Sequence, residues 1–126
     1  KFQNLEKTIF CGGKPIREYD EKLPSNLTAE EILIRSGNIG SVKIAQRVGL
    51  ENYRNFLKKL GILDELKFDI LEVGKPLQFN WGKCKLATVS FGHGITITPL
   101  HLANGYSVIS NGGYDINPTI IKKENN

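Results

Sequence analysis

Thr28-Ala29-Glu30-Glu31-Ile32-Leu33-Ile34-Arg35-Ser36-Gly37-Asn38-Ile39-Gly40 reads as a helix, a break and the start of a second helix. Thr28 and Glu31 form a capping box: the hydroxyl accepts from the Glu31 amide, and the carboxylate reaches back. The first helix is expected to run to about Arg35. Ser36-Gly37-Asn38 then sets three poor helix formers in a row. The second helix resumes near Ile39 and ends at Gly49. A serine and an asparagine two apart in such a break can project a hydroxyl and a carboxamide into one cavity. Such a pair can relay a proton and hold a peptide carbonyl. The same three residues are also ordinary turn chemistry, so the triplet alone does not choose between a turn and a site.

Downstream the pattern stays helical. A third helix is expected over 51–60, where Tyr53, Phe56, Leu57 and Leu60 recur at helical spacing, and Gly61 stops it. Residues 62–86 are mixed, with Gly74-Lys75-Pro76 as a breaker, and 87–94 are punctuated by glycine. Thr98-Pro99 supplies an N-cap followed by proline at the first helical position. The fourth helix opened there carries Leu102, Ala103, Tyr106 and Ile109 as one apolar face, and Asn111-Gly112-Gly113 ends it. Residues 114–123 read as extended, with Pro118 among them. Upstream, 1–27 read as irregular structure with one hairpin. Thr8-Ile9-Phe10-Cys11 and Lys14-Pro15-Ile16-Arg17 flank Gly12-Gly13, a pair that tolerates positive φ in a tight turn. Pro15 suits an edge rather than a central strand.

The chain has 126 residues, 40% of them apolar and 24% charged, with a formal net charge of +4. That length allows one domain at most, or a piece of one. The balance excludes wholesale disorder and fibrous classes. No run of about 18 apolar residues occurs, so no membrane-spanning helix is expected within these residues. The basic character permits an anionic partner without demanding one. The sequence contains no Met and starts at Lys1, so an excerpt from something longer is the expectation.

One rival reading concerns residues 41–60. Ile44-Ala45-Gln46-Arg47-Val48-Gly49-Leu50, followed by Glu51-Asn52-Tyr53-Arg54-Asn55-Phe56, has the small-residue and turn spacing of a helix-turn-helix. Arg54, Asn55, Lys58 and Lys59 would then face a nucleic-acid duplex, the lysines on phosphates and Arg or Asn on a base edge. Two amphipathic helices joined by a glycine turn explain the same spacing in any helical domain, and that reading is preferred.

The chain from about Phe10 to Lys122 resembles the serine penicillin-binding proteins, specifically the transpeptidase domain of the class B, division- or elongation-type enzymes. Three parts carry the resemblance. Thr28 through Gly40 looks like the family's helix, Ser-x-Asn motif and following glycine, and Lys43-Ile44-Ala45 fits the next helix. Ser90-Phe91-Gly92-His93-Gly94 resembles its Ser-Phe-Gly-x-Gly segment. Thr98-Pro99-Leu100-His101-Leu102-Ala103, then Asn111-Gly112-Gly113 and Pro118, look like the long helix and exit that follow.

The resemblance implies an α+β fold: the predominantly helical middle part of a transpeptidase domain, here with a short N-terminal hairpin and a C-terminal extended segment. It implies that residues 1–126 are part of such a domain. It also implies a mechanism in which a Ser-x-x-Lys serine forms an acyl-enzyme with a peptidoglycan stem peptide and passes it to a neighbouring amine. Catalytic roles then fall to Ser36, beside the nucleophile's lysine, and to Asn38. Asn38 would hydrogen-bond the acyl donor or a bound β-lactam, and Gly37 would keep the substrate-binding loop free of bulk. Neither Ser-x-x-Lys nor Lys-[Ser/Thr]-Gly occurs in the chain; Ser41-Val42-Lys43 is one residue short. The chain alone is therefore expected to lack transpeptidation and covalent penicillin binding. Its implied partners are stem peptides, β-lactams and other cell-wall synthesis proteins, with no nucleic acid and no cofactor. Its implied location is the periplasmic face of a bacterial inner membrane. One side of the helical part would expect a sheet these residues lack, so marginal stability alone, or association with another copy, is expected.

The remaining candidates read as local structure. His93 and His101 are eight apart, not the i, i+4 of a helical metal pair, so no metal is assigned. Cys11 and Cys84 fit no metal spacing; they allow one bridge at most, open to them in an oxidising periplasm, but no sequence rule brings them within bonding distance, and free thiols are the default expectation. Glu30-Glu31 suits the positive end of a helix dipole. Phe79 and Trp81 suit a core or lid, and Lys58-Lys59 a solvated face.

Overall fold

Gly12 and Gly13, at φ +57° and +77°, turn the chain between β1 (Thr8–Cys11) and β2 (Lys14–Arg17). Two consecutive left-handed residues match the right-handed twist of the flanking strands. The strands pair antiparallel from Thr8 opposite Arg17 to Cys11 opposite Lys14, the expected hairpin. The structure is a computed structural model and describes residues 1–70 and 73–122. Five helices follow the hairpin among the described residues: α1 (Ala29–Ile34), α2 (Asn38–Val48), α3 (Leu50–Lys59), α4 (Lys85–Val89) and α5 (Pro99–Ser110). Among the described residues no helix is long and apolar enough to cross a membrane.

The chain divides into two units, Lys1–Tyr53 with Phe79–Gly94, and Arg54–Gln78 with Ile95–Asn126. In the first, α2 packs against α1, α4 and β2. Phe2 and Leu27 exchange backbone hydrogen bonds of 2.7 and 2.9 Å, which brings the first residues beside the entry to α1. Phe2, Leu5, Leu23, Leu27, Ile32 and Ile39 form one buried cluster. Ile16, Val42 and Ala87 form a second, with Phe91 against it. Ile32 fixes the α1–α2 approach: a Cβ on Gly40 would lie 2.6 Å from its Cγ1, so only glycine fits there.

In this unit Cys11 and Cys84 form a disulfide, with Cα atoms 5.7 Å apart. The free-thiol expectation is corrected. The bond depends on β1 meeting the start of α4 across a separation of 73 residues, and sequence spacing carries no trace of that meeting. The helix α4 was also not expected. It has five residues and no side-chain N-cap, so neither cap nor periodicity announces it. Phe79 and Trp81 pack with ring centroids 5.1 Å apart, and the Lys85 ammonium lies 4.1 Å from the Phe79 centroid.

In the second unit, Leu57, Leu60, Leu66 and Val108 are buried. Thr98 caps α5 through the His101 amide, as its sequence predicts. The buried face of α5 differs from the expected one: it consists of His101, Asn104, Gly105 and Val108, while Leu102, Tyr106 and Ile109 are 49%, 67% and 58% exposed. The physical reason is polar satisfaction and close approach. His101 is fully buried because Nδ1 lies 2.7 Å from Thr98 Oγ1 and Nε2 lies 2.9 Å from the Asp64 carbonyl. Gly105 admits Ile62, whose side chain lies 3.4 Å from where a Cβ would stand. Residues 114–122 form no strand, and Lys123, the end of the expected extended segment, lies outside the described residues.

Candidate functional site

The break between α1 and α2 is a closed hydrogen-bonded cap. Gly37 N–H donates to the Ile32 carbonyl at 2.9 Å and Ser36 N–H to the Leu33 carbonyl at 3.2 Å. This is the paired 6→1 and 5→2 pattern of a Schellman motif, which places Ser36 at the position glycine usually holds. Ser36 accordingly has φ +51°, in the left-handed region that L side chains rarely adopt. The same motif ends α3, where Gly61 N–H bonds the Lys58 carbonyl and Ile62 N–H the Leu57 carbonyl. There the left-handed residue is glycine, at φ +71°.

Gly37 is the N-cap of α2 and offers no side chain to its orphan amides. The Glu18 carboxylate, just past β2, takes that place. Its Oε2 accepts from the Asn38 amide at 2.8 Å and its Oε1 from the Ile39 amide at 2.9 Å. The Asn38 side chain is pinned from the same strand end, with Nδ2 donating to the Arg17 carbonyl at 2.9 Å. Because Arg17 offers an acceptor, the amide orientation is determined. Asn38 Oδ1 has no hydrogen bond within the protein among the described residues.

Ser36 and Asn38 line one cavity of about 170 Å³ with Ser41, Ile32, Leu33 and Phe91. Ser36 is exposed and Asn38 half-buried. Ser41 Oγ donates to the Gly37 carbonyl at 2.8 Å and steadies the loop from below. Phe91 arrives from the turn after α4, so the Ser90-Phe91-Gly92-His93-Gly94 segment and the Ser36-Gly37-Asn38 break meet in space. Gly37 is buried, and a Cβ there would stand 3.3 Å from Leu23 Cδ2. A larger cavity of about 290 Å³ lies between the hairpin and α4, with the disulfide in its wall and Lys14, Arg17 and His93 around it; it contains neither Ser36 nor Asn38.

Sequence reasoning missed Glu18 and Ser41. The signal for Glu18 was indirect: a helix opening on Gly37 needs an acceptor from elsewhere, but nothing local says which residue provides it. Glu31 does what its spacing predicts, accepting from the Thr28 amide at 2.7 Å while Thr28 Oγ1 accepts from Glu31 N–H. These bonds to Thr28 hold its carboxyl below the ordinary value of 4.5. Arg54, Asn55, Lys58 and Lys59 are exposed on α3. Among the described residues no cluster of His, Cys, Asp and Glu gathers to hold a metal ion.

The penicillin-binding protein transpeptidase domain family matches residues 2–126. The probable peptidoglycan D,D-transpeptidase FtsI of Caulobacter vibrioides is 35% identical over 98 residues, covering 77% of this chain and 16% of that protein. Penicillin-binding protein PbpB of Mycobacterium tuberculosis is 28% identical over 119 residues, covering 91% of this chain and 17% of that protein. The crystal structure of penicillin-binding protein 3 from the same genus and species, complexed with aztreonam, superposes with a TM-score of 0.87 at 26% identity, covering 97% of this chain and 28% of that one. The chain thus spans about a sixth of the length of these curated relatives. Nothing in these matches supports the nucleic-acid reading of residues 41–60.

Proposed function

The chain belongs to the penicillin-binding protein transpeptidase domain family, and we propose that it forms the Ser-x-Asn wall of the acyl-transfer cleft of a peptidoglycan D,D-transpeptidase. On this reading residues 1–126 are part of one transpeptidase domain. The observation that carries the proposal is the shared cavity: Ser36, held in a left-handed conformation, and Asn38, whose Oδ1 has no hydrogen bond within the protein among the described residues, line the same space. Its volume of about 170 Å³ is below the roughly 300–1,000 Å³ of a complete small-molecule site. One wall of a larger cleft fits that size.

The chemistry proceeds as follows. A serine outside these residues attacks the penultimate D-Ala carbonyl of a stem peptide, and the C–N bond to the terminal D-Ala breaks. The resulting acyl-enzyme is taken by an amine of a neighbouring strand. Ser36, through a hydroxyl that both donates and accepts, passes a proton between the nucleophile's lysine and the departing amine. Asn38 Oδ1 accepts from the amide N–H of the acyl donor and orients its carbonyl. Nδ2 is already committed to Arg17, which leaves the amide no freedom to present its other end. A β-lactam presents a similar amide, and the relative's structure with aztreonam supports β-lactam binding by the whole enzyme. Attachment at the outer face of the inner membrane, and contact with other cell-wall synthesis proteins, follow from the same reading.

A fluorescent penicillin tests this. In the longer protein that carries these residues, Ser36→Ala lowers the acylation rate by about 100-fold, the scale of a lost proton-transfer group, with the fold unchanged by circular dichroism. The 126-residue chain alone forms no stable adduct. An unchanged rate for Ser36→Ala, or a covalent adduct on the isolated chain, contradicts the proposal.

A further inference from the structure

We propose that Glu18 is a positioning residue for the acyl-transfer reaction, holding the Ser36-Gly37-Asn38 loop at a fixed height above the end of β2. The inference rests on the reading of Ser36 and Asn38 given above and extends it to a residue outside the motif.

Three observations converge on Glu18. Its carboxylate bridges two consecutive amides, Asn38 at 2.8 Å and Ile39 at 2.9 Å, across 20 and 21 residues of sequence. Its own amide donates to the Lys7 carbonyl at 3.2 Å, so its backbone is tied to the chain entering β1. The preceding residue, Arg17, supplies the carbonyl that takes Asn38 Nδ2 at 2.9 Å. Two adjacent residues at one strand end therefore hold both the backbone and the side chain of Asn38.

The arrangement does more than cap a helix. A local N-cap side chain would satisfy the same orphan amides and leave α2 free to shift relative to the hairpin. Position 37 has no such side chain. Capping from β2 fixes helix and strand together. The anionic carboxylate also sits at the positive end of the helix dipole, where charge strengthens each hydrogen bond. If the pair of bonds is lost, Asn38 N–H and Ile39 N–H lose their acceptor, the loop lifts, and Nδ2 loses its register with the Arg17 carbonyl. Oδ1 is then no longer presented in one orientation. Displacements on the 1 Å scale in a positioning group lower rates by as much as 100-fold.

The test uses the longer protein that carries these residues and a fluorescent penicillin, with the acylation rate constant read separately from the labelled amplitude. Amplitude counts the molecules that fold; the rate constant reports how well they react. Glu18→Gln retains the shape but replaces one acceptor by a donor that faces an N–H. It is expected to acylate at least tenfold more slowly, with a reduced saturating rate and little change in the half-saturating penicillin concentration. Glu18→Asp keeps the charge and reaches one amide, and recovers part of that loss; it also serves if Glu18→Gln folds poorly. Equal rate constants for wild type, Glu18→Gln and Glu18→Asp overturn the inference, as does a deficit confined to amplitude. Ser36→Ala is run in parallel. If it is slow while both Glu18 variants react at the wild-type rate, only the Glu18 inference fails; if it too reacts at the wild-type rate, the underlying site assignment fails with it.

Discussion

Ser36 occupies a position that the same protein fills elsewhere with glycine. The Schellman end of α3 uses Gly61, and α5 ends with Gly112 at φ +89° beside the Gly113 amide on the Val108 carbonyl. A left-handed L residue costs roughly 1 kcal/mol relative to glycine. An observed outlier of this kind next to an open cavity is the direction in which strain argues for function. Ser36→Gly is therefore expected to leave thermal stability equal or slightly raised, by up to about 1 kcal/mol, while slowing β-lactam acylation of the longer protein as severely as Ser36→Ala. A clear drop in melting temperature would mean that the hydroxyl serves the fold. At this scale the sequence named Ser36 and Asn38 as candidates, and the structure sets both on one cavity, but it carried no sign of Glu18. The first two stand in one triplet with recognisable chemistry. The third acts across 20 residues through backbone amides, which have no identity in a sequence.

Elements announced by side-chain caps were legible. Thr28 with Glu31, and Thr98 with Pro99, mark the starts of α1 and α5 as observed. The hairpin was legible because Gly12-Gly13 fits one turn type. Elements set by tertiary packing were not. The five-residue α4 has no cap signal, and α5 turns its polar and small residues inward because His101 and Gly105 find specific partners there. The capping box gives a pH prediction. Glu31 has its carboxyl held below the ordinary value by its bonds to Thr28. A depressed folded-state value means that the ionised form stabilises the fold above the ordinary value of 4.5, and that this contribution disappears as pH falls through the lower folded-state value. Melting temperatures of the 126-residue chain from pH 7 down to pH 3 should therefore show a steeper acid limb for wild type than for Glu31→Gln. Superimposable acid limbs would remove Glu31 from the stability of α1.

Across the whole molecule, the disulfide is the long-range covalent link. Cys11 stands in the first segment of its unit and Cys84 in the second, 73 residues apart. Closing a loop of that length removes chain entropy from the unfolded state worth about 4 kcal/mol in the simple model. That is a large part of ordinary domain stability. Denaturant unfolding of the 126-residue chain with and without reductant should show a midpoint lowered by about 2–4 kcal/mol of equivalent stability on reduction, and Cys84→Ala should match the reduced protein. An unchanged midpoint would mean that the two sulfurs are not joined in solution. The pairing was invisible in the sequence because two cysteines in one chain have no spacing rule, whereas the family resemblance, spread over several ordered segments, was visible from Phe10 onward.

The most direct measurement is a crystal structure of the longer enzyme acylated by ampicillin. The account predicts the Asn38 Oδ1 within about 3.2 Å of the acyl amide nitrogen, Asn38 Nδ2 still on the Arg17 carbonyl, and Ser36 Oγ facing the lysine of the acylated Ser-x-x-Lys. An acyl group seated away from the α1–α2 break, with neither Ser36 nor Asn38 in hydrogen-bonding reach of it or of that lysine, would contradict it.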